Sequence, residues 1–187
     1  MNKKVKAGIF VLCFAVMVLL IWKRFDSVAY GGNFSLHSKE GVWTFSDSPK
    51  KLNLIYFGFT KCGDVCPVSM SKMASAFKQL TPEERAHVQL IFVSVDAKHD
   101  TPKDASRFAK TFNDEFIGVT GHKAEIDSVI NKFPAGYVIE QKKESHLGYI
   151  IIHPDKFFFV DAEGKMIDEI SAQKEPDEMA DAIRTYL

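Results

Sequence analysis

The chain has 187 residues, of which 46% are hydrophobic and 12% aromatic. That is enough apolar material for one ordinary domain with a packed core, and it excludes a disordered or low-complexity protein. The formal net charge is zero, but five basic residues fall within the first 24 positions, which leaves 19 basic and 24 acidic side chains, a net of about −5, for the rest. Such a domain is a poor nucleic-acid binder, because phosphate contacts need clustered Lys and Arg.

The first 24 residues are predicted to anchor the protein in a membrane. The uncharged apolar run at residues 7–22 would span about 24 Å as a helix, and Lys6 and Lys23 at its ends can extend to the lipid headgroups. Slightly more positive charge precedes the run than follows it, which favours export of the C-terminal part. We expect a single-pass protein of the bacterial inner membrane with its domain in the periplasm, or of the mitochondrial inner membrane facing the intermembrane space.

Two other interpretations of this segment stay open, a signal peptide cleaved after Ala29 and a buried core helix. Cleavage is disfavoured because charged residues intervene, and a core helix because the run is apolar on every side. Cys13 lies inside the run without a lipobox and is interpreted as a small apolar side chain. An exported domain would hold its remaining two cysteines where thiols meet oxidants.

Residues 25–33 form a predicted linker and residues 34–187 a predicted α/β domain. The domain opens with a small hairpin, residues 34–36 and 42–45. The patterns that follow are a buried strand (53–59), a helix (64–80), a buried strand (88–95), a helix (101–112), a short strand (116–119) and a helix (123–132). After these come two hairpins and a last helix: 136–140 with 147–152 across the polar loop 141–146, 156–160 with 165–170, and 176–187. This order predicts a thioredoxin-like fold with an N-terminal β-hairpin, preceded by a single transmembrane helix.

Two helices carry details that the structure can check. The first should bury one stripe of apolar side chains, Val65, Met73, Ala76, Phe77 and Leu80. The second should begin at Thr101 as the N-cap, with Pro102 at the first helical position and an acid in the first turn.

The most informative motif is Cys62-Gly63-Asp64-Val65-Cys66-Pro67, at the point where the first buried strand gives way to a helix. Residues four apart share one face of a helical turn, so both sulfur atoms can point to one place. The free N–H groups at a helix N-terminus lower a thiol pKa and so favour thiolate. The pair can close a disulfide or bind one metal ion. A purely structural disulfide is the weaker interpretation, because so short a loop contributes little stability.

Two thiolates suit Cu(I), a soft cation, but they do not complete a site, so a third ligand is expected. His153 is the candidate, because it follows the apolar strand at 147–152 and would lie near the N-terminus of the first helix in a thioredoxin-like chain. Position alone also allows a structural or solvated role. His146, in the polar loop, is the second candidate, and His87 is expected to be solvated.

Four other residues near these motifs are expected to play structural parts. Met70 and Met73 could serve as soft ligands, but their helical spacing is more typical of core positions. Asp96 and Asp100 flank a strand-to-helix loop and are expected to cap it.

At these residues the sequence resembles the SCO/SenC family of copper-handling, membrane-anchored, thioredoxin-like proteins. The family's C-x₃-C-P motif stands here as Cys62, Cys66 and Pro67. Its other segments are matched by residues 32–36, 55–62, 94–96 with 100–102, 118–121, and His153 with 157–160 and Gly164. The chain departs from the family pattern at Gly63, at Ile152, where many members carry an acid before the histidine, at Pro154 and at His37.

The resemblance implies a copper site, for Cu(I) or Cu(II), made by Cys62, Cys66 and His153. It also implies delivery of copper to the binuclear copper centre of cytochrome c oxidase, or reduction of the cysteines of that centre. The expected partner is the copper-receiving subunit of the oxidase or another envelope protein with paired cysteines.

Two hypotheses from other classes compete with a metallochaperone. In a thiol–disulfide oxidoreductase, Cys62 would attack a partner disulfide, Cys66 would resolve the mixed disulfide, and His153 would assist or stand by. In a component of a larger envelope assembly the chemistry would be lost, which the intact thiols and histidine argue against. A peroxidase is disfavoured, because Thr60 stands two residues before Cys62 and no proline precedes it.

Overall fold

The computed structural model describes residues 30–187 together with Phe14, Val16 and Met17. Apart from those three residues, the predicted anchor lies outside the described residues, as do Cys13 and most of the predicted linker. In the part of the chain that the structure describes, no helix is long and apolar enough to cross a membrane.

The described domain alternates strands and helices and then ends in hairpins and a helix. Its elements are β1 (Ser35–Ser38), β2 (Gly41–Thr44), a 3₁₀ turn (Phe45–Asp47), β3 (Leu52–Gly58), α1 (Val65–Gln79), α2 (Pro82–Ala86), β4 (Val88–Ser94), α3 (Pro102–Phe112), β5 (Ile117–Val119), α4 (Lys123–Ile130), β6 (Val138–Gln141), β7 (Tyr149–Ile152), β8 (Lys156–Val160), β9 (Met166–Ser171) and α5 (Pro176–Thr185). The order confirms the predicted α/β class.

A five-stranded sheet in the order β5-β4-β3-β8-β9 forms the centre of the molecule. Strands β3, β4 and β5 run parallel, and β8 and β9 are antiparallel to their neighbours. Every residue of β3 and β4 is buried, as their continuous apolar runs predict. The carboxyl ends of β3 and β4 lie side by side, and the Val95 N–H donates to the Gly58 carbonyl at 2.8 Å. The loops that follow these strands therefore meet at one pole of the domain.

Helix α1 packs against α5 and contacts α3. Met73, Ala76, Phe77 and Leu80 are buried, as predicted, but Val65 is 40% exposed. The stripe fails at Val65 because this residue begins the helix, where it faces a surface cleft rather than the core.

Helix α3 begins as its sequence predicts. The Thr101 hydroxyl accepts a hydrogen bond from the Asp104 N–H, the Asp104 carboxylate accepts one from the Thr101 N–H, and Pro102 occupies the first turn. The short helix α2 was not predicted, although Thr81 and Glu84 make the same reciprocal cap around Pro82. Its five residues are too few to show an apolar stripe, and none of them is buried.

The two late hairpins form with shifted ends. Strands β6 and β7 pair antiparallel as a separate two-stranded sheet, and they begin two residues later than the predicted 136 and 147. Strands β8 and β9 join the central sheet instead. His153 follows β7 directly, so the small β6–β7 sheet delivers this residue to the pole where β3 and β4 end.

Candidate metal and thiol site

Cys62 lies on the turn between β3 and α1, while Cys66 is the second residue of α1. The expectation that both share one helical face is therefore wrong in detail, because the helix begins only at Val65. The sulfur atoms still come together, because the Cys66 thiol hydrogen-bonds to Cys62. The Cys66 backbone N–H also points to Cys62 Sγ at 3.4 Å, and the Cys62 N–H closes the turn by donating to the Phe59 carbonyl at 3.3 Å. Both cysteines are free thiols, with Cys62 half-buried and Cys66 buried.

The pKa values of the two thiols are shifted in opposite directions, so that Cys62 loses its proton more easily than Cys66. A hydrogen bond from the Cys66 thiol lowers the pKa of Cys62 to about 5, helped by the backbone N–H groups of Asp64 and Cys66. The same hydrogen bond, together with burial, raises the pKa of the Cys66 thiol. Near neutral pH the proton therefore stays on the buried sulfur and the negative charge on the accessible one. Thiolate is the form that attacks disulfides and binds metals.

His153 reaches this pair from the other side. Its Nε2 lies 3.5 Å from Cys66 Sγ, and its Nδ1 lies 3.1 Å from the Pro154 carbonyl. Because a carbonyl oxygen only accepts, Nδ1 carries the proton in that contact, and the lone pair of Nε2 faces the thiol. The imidazole stands nearly perpendicular to the rings of Tyr56 and Phe59.

Cys66 is the meeting point of these three side chains, since it contacts both Cys62 and His153. It can pack directly on β3 because Gly58 has no side chain there; a Cβ at Gly58 would stand 3.3 Å from the Cys66 sulfur and even closer to the rings of Tyr56 and Phe92. Across residues 30–187, however, no three His, Cys, Asp or Glu side chains already stand in the arrangement of a metal site. The contacts are pairwise, and an ion would have to draw the ligands around itself.

The donor set fits a soft ion. One thiolate, a second thiol and an imidazole nitrogen with a free lone pair are ligands that copper accepts well, whereas carboxylate and carbonyl oxygens suit Mg²⁺ or Ca²⁺. Cys62 and His153 both line a surface cleft of about 620 Å³ whose other walls are largely apolar, among them Phe59, Leu147 and Ile151. Ligands at the edge of an open cleft remain accessible to a partner.

The other candidates from the sequence do not approach the thiols in this way. His146 is exposed, although it lines the same cleft. His87 is exposed at the end of α2. Met70 and Met73 are fully buried in the core, as expected.

The carboxylates of Asp96 and Asp100 do not cap α3, whose N-cap is Thr101. Instead they accept hydrogen bonds from elements on either side of the site, as described below. The expectation of simple capping was wrong for these side chains, because Thr60 and Tyr149, both distant in sequence, donate to them.

Sequence reasoning also missed Asp155. Its carboxylate accepts hydrogen bonds from the Tyr56 hydroxyl at 2.9 Å and the Ser69 hydroxyl at 2.8 Å, and a third from the Gln173 amide. These bonds join β3, α1 and the segment after His153 directly beside Cys66. The only sequence signal is an acid two residues after the histidine, in place of the acid that Ile152 replaces before it.

These features define a class: thioredoxin-like proteins with a Cys-x₃-Cys pair at a strand–helix junction and a distant histidine at the same pole of the domain. The family model SCO1/SenC matches residues 24–187, and the chain belongs to that family. A SCO2-like protein of Rickettsia conorii is 34% identical over 160 residues, which cover 85% of this chain and 78% of that protein.

Solved structures agree with this assignment. The copper-bound ScoI of Bradyrhizobium japonicum superposes with a TM-score of 0.74 at 30% identity, covering 85% of this chain and all of the other. BsSco, described as a member of the Sco family of cytochrome c oxidase assembly proteins with a disulfide switch, superposes with a TM-score of 0.64 at 25% identity, covering 84% and 94%.

Proposed function

We propose that this protein binds copper through Cys62, Cys66 and His153 and delivers it to the copper-receiving subunit of cytochrome c oxidase. The observation that carries the proposal is the double contact of Cys66, which meets Cys62 on one side and His153 Nε2, at 3.5 Å, on the other. Support comes from the copper bound by the Bradyrhizobium relative and from the oxidase-assembly role stated for BsSco.

The chemistry of the three donors suits a carrier rather than a permanent metal site. Cys62 is already a thiolate near neutral pH, because its pKa is lowered to about 5 by the Cys66 thiol. Cys66 must lose its proton when it becomes a ligand, so binding releases a proton and weakens as the pH falls. With two of the three donors at the edge of the cleft, a client's cysteines can reach the ion and exchange with them one at a time.

We also propose, from the apolar N-terminal run, that the protein is anchored in the cell envelope. The apolar run at residues 7–22 would anchor it, residues 25–33 would link the anchor to the domain at 34–187, and the domain would face the periplasm or the intermembrane space. Membrane extraction with carbonate, followed by N-terminal sequencing, tests this. A soluble protein that begins at Tyr30 would show cleavage instead of anchoring.

Copper stoichiometry on the anaerobically reduced full chain, kept in detergent, tests the binding proposal. We expect about one copper per chain, and His153→Ala should lower the affinity at least roughly 10- to 100-fold, since the loss of even an outer partner of a ligand costs that much. His146→Ala is the matched control, because this histidine lines the same cleft without touching either thiol. Equal affinities for the His153→Ala chain and the wild type would contradict the proposed ligand set.

A second candidate function is thiol–disulfide exchange, and the division of the two thiol pKa values favours it. Cys62 thiolate would attack one sulfur of a client disulfide, forming a mixed disulfide and releasing a client thiolate. Cys66 would then attack Cys62, closing the Cys62–Cys66 disulfide and releasing the second client thiol. The test compares the reduced wild type with reduced His153→Ala on a client-derived disulfide peptide. Equal rates of disulfide reduction would show that this activity is independent of the copper site.

A further inference from the structure

We propose that the loop between β4 and α3, residues 95–101, is a clamp with two arms that positions the two halves of the site. Asp100 holds the turn that carries Cys62, and Asp96 holds the β6–β7 hairpin that carries His153. The proposal concerns the site assigned above and rests on that assignment for its copper readout, although each arm also has a readout without copper.

The Asp100 arm is a set of hydrogen bonds to Thr60, two positions before Cys62. Its carboxylate accepts hydrogen bonds from the Thr60 N–H at 2.7 Å and the Thr60 hydroxyl at 2.6 Å. The Ser94 hydroxyl donates to it at 2.6 Å, and the Lys61 ammonium lies 3.1 Å away. The Asp100 side chain is fully buried, so this many donors to one carboxylate is what its burial requires. The turn that places Cys62 is thereby fixed to the end of β4.

The Asp96 arm is a hydrogen bond to Tyr149, the first residue of β7. The Tyr149 hydroxyl donates to its carboxylate, and His99 Nδ1 lies 2.9 Å from the same group. The His99 ring also stacks on the Tyr149 ring, with centroids 4.8 Å apart. Tyr149 begins the short strand β7, which ends one residue before His153, and the β6–β7 sheet is separate from the central sheet. This contact therefore fixes the hairpin to the same loop that holds the Cys62 turn.

The loop is itself rigid enough to act as the common support. The backbone N–H groups of His99 and Asp100 both donate to the Asp96 carbonyl, at 3.1 and 2.9 Å. The Ser94 hydroxyl joins the Asp100 carboxylate to the Asp96 backbone, since it donates to the carboxylate and accepts from the Asp96 N–H at 3.3 Å. Beyond the loop, α3 is capped independently by Thr101 and Asp104. A metal or thiol site requires its ligands to be held to about 0.5 Å by such supporting contacts.

Each arm can be weakened by an isosteric change with a matched control. Thr60→Val removes the side-chain hydrogen bond to Asp100. Thr185→Val is the control, because it removes an exposed threonine hydroxyl that bonds to the Asp181 carbonyl in α5, outside the clamp. Tyr149→Phe removes the hydrogen bond to Asp96, and Tyr186→Phe removes an equivalent tyrosine-to-aspartate hydrogen bond, to Asp168, at the C-terminus. All four are made in the full chain, and thermal unfolding verifies that each folds.

Two readouts separate the arms. Equilibration in glutathione buffers measures the Cys62–Cys66 thiol–disulfide equilibrium, and we expect Thr60→Val to shift it about fivefold toward the disulfide, the effect of one lost hydrogen bond on the reduced pair. Competition with a chelator measures copper affinity, and we expect Tyr149→Phe to lower it roughly tenfold, the effect of losing one hydrogen bond to a carboxylate, because this bond ties the hairpin before His153 to Asp96. Tyr149→Phe should also move the NMR signal of the His153 ring, while Thr60→Ser, which keeps the hydroxyl, should behave as wild type.

Equal disulfide equilibria for Thr60→Val and Thr185→Val would overturn the Asp100 arm. Equal His153 signals for Tyr149→Phe and Tyr186→Phe would overturn the Asp96 arm. A wild-type chain that binds no copper would remove the copper proposal, but the disulfide equilibrium and the ring signal would still decide both arms of the clamp.

Discussion

The site has two halves that are built in different ways. The cysteine half, residues 58–66, is one short stretch of chain in which a strand, a turn and the start of a helix follow each other. The histidine half, the β6–β7 hairpin with His153, approaches from 87 positions further along the chain. The first half is determined mostly by its neighbours in sequence, whereas the second depends on contacts such as the one from Tyr149 to Asp96. We therefore expect thiol chemistry to survive damage to the hairpin, and copper binding to require both halves.

The largest effect is expected at the residue that the halves share. Cys66→Ala removes the sulfur that hydrogen-bonds to Cys62 and contacts His153, so copper binding should fall by at least about 100-fold, because a lost ligand costs more than a lost outer partner of a ligand. The disulfide should be lost altogether. Isothermal titration with Cu(I) in a competing ligand measures the affinity. Retention of near-wild-type affinity would show that the halves do not meet at this sulfur.

The pH dependence of Cys62 alkylation sharpens the comparison further. Because the pKa of Cys62 is lowered to about 5, chiefly by the Cys66 thiol, its rate with iodoacetamide should rise with a midpoint near pH 5 and be flat through neutrality. His153 contributes least to that lowering. In Cys66→Ala the midpoint should therefore move up toward the ordinary thiol range, while in His153→Ala it should move only slightly. A large shift in His153→Ala would mean that the cysteine half is not autonomous.

A smaller effect, on stability, is expected at Asp155, whose carboxylate bonds to the strand before the cysteine half and to the helix after it. Asp155→Ala leaves the hydroxyls of Tyr56 and Ser69 without their acceptor, and we expect the free energy of unfolding to fall by about 2 kcal/mol. Asp155→Asn keeps an acceptor oxygen of the same shape and should recover about half of the loss. Urea denaturation measures both variants. Equal losses in the two variants would indicate that the charge, rather than the acceptor position, is what matters.

The smallest effect is expected at a glycine in the hairpin. Gly148 has a φ of +75°, so Gly148→Ala should cost about 1 kcal/mol, because a side chain opposes this backbone conformation. Gly136 lies just before the same hairpin, with open space around it and no positive φ, and Gly136→Ala is the matched control. If the hairpin folds on to the domain as a unit, the loss at Gly148 should also appear as faster amide exchange in β7. Equal stabilities for the two variants would contradict this.

The cysteine half was predictable because its signals are local. The apolar run of β3, the Cys-x₃-Cys spacing and the proline in the first turn of α1 all lie within about 15 residues of each other. Two details of this half were predicted wrongly: Cys62 lies on the turn before the helix, and Val65 faces the cleft rather than the core. Those two outcomes depend on where the helix begins, which the order of residues specifies only to within a turn or so.

The histidine half and its supports were predictable only in part. The hairpin was predicted from two segments on either side of the polar loop 141–146, but its ends were shifted, and Asp96, Asp100 and Asp155 received either simpler roles or none. Their donors come from Tyr149, Thr60 and Tyr56, each on another element. A single sequence carries no direct signal for such pairs, because the hydrogen bond arises only when the sheet brings the two segments together.

What the amino-acid sequence determined by itself is the succession of strands and helices and the chemistry of the donor atoms, because apolar periodicity, helix caps and thiol spacing act over a few neighbouring residues. What only the tertiary structure decided is that Cys66 touches His153 and that two buried carboxylates on one loop grip both halves of the site. Those contacts depend on the parallel pairing of β3 with β4, which brings the clamp loop beside the Cys62 turn, and on the antiparallel pairing of β3 with β8, which brings His153 to the same edge of the sheet.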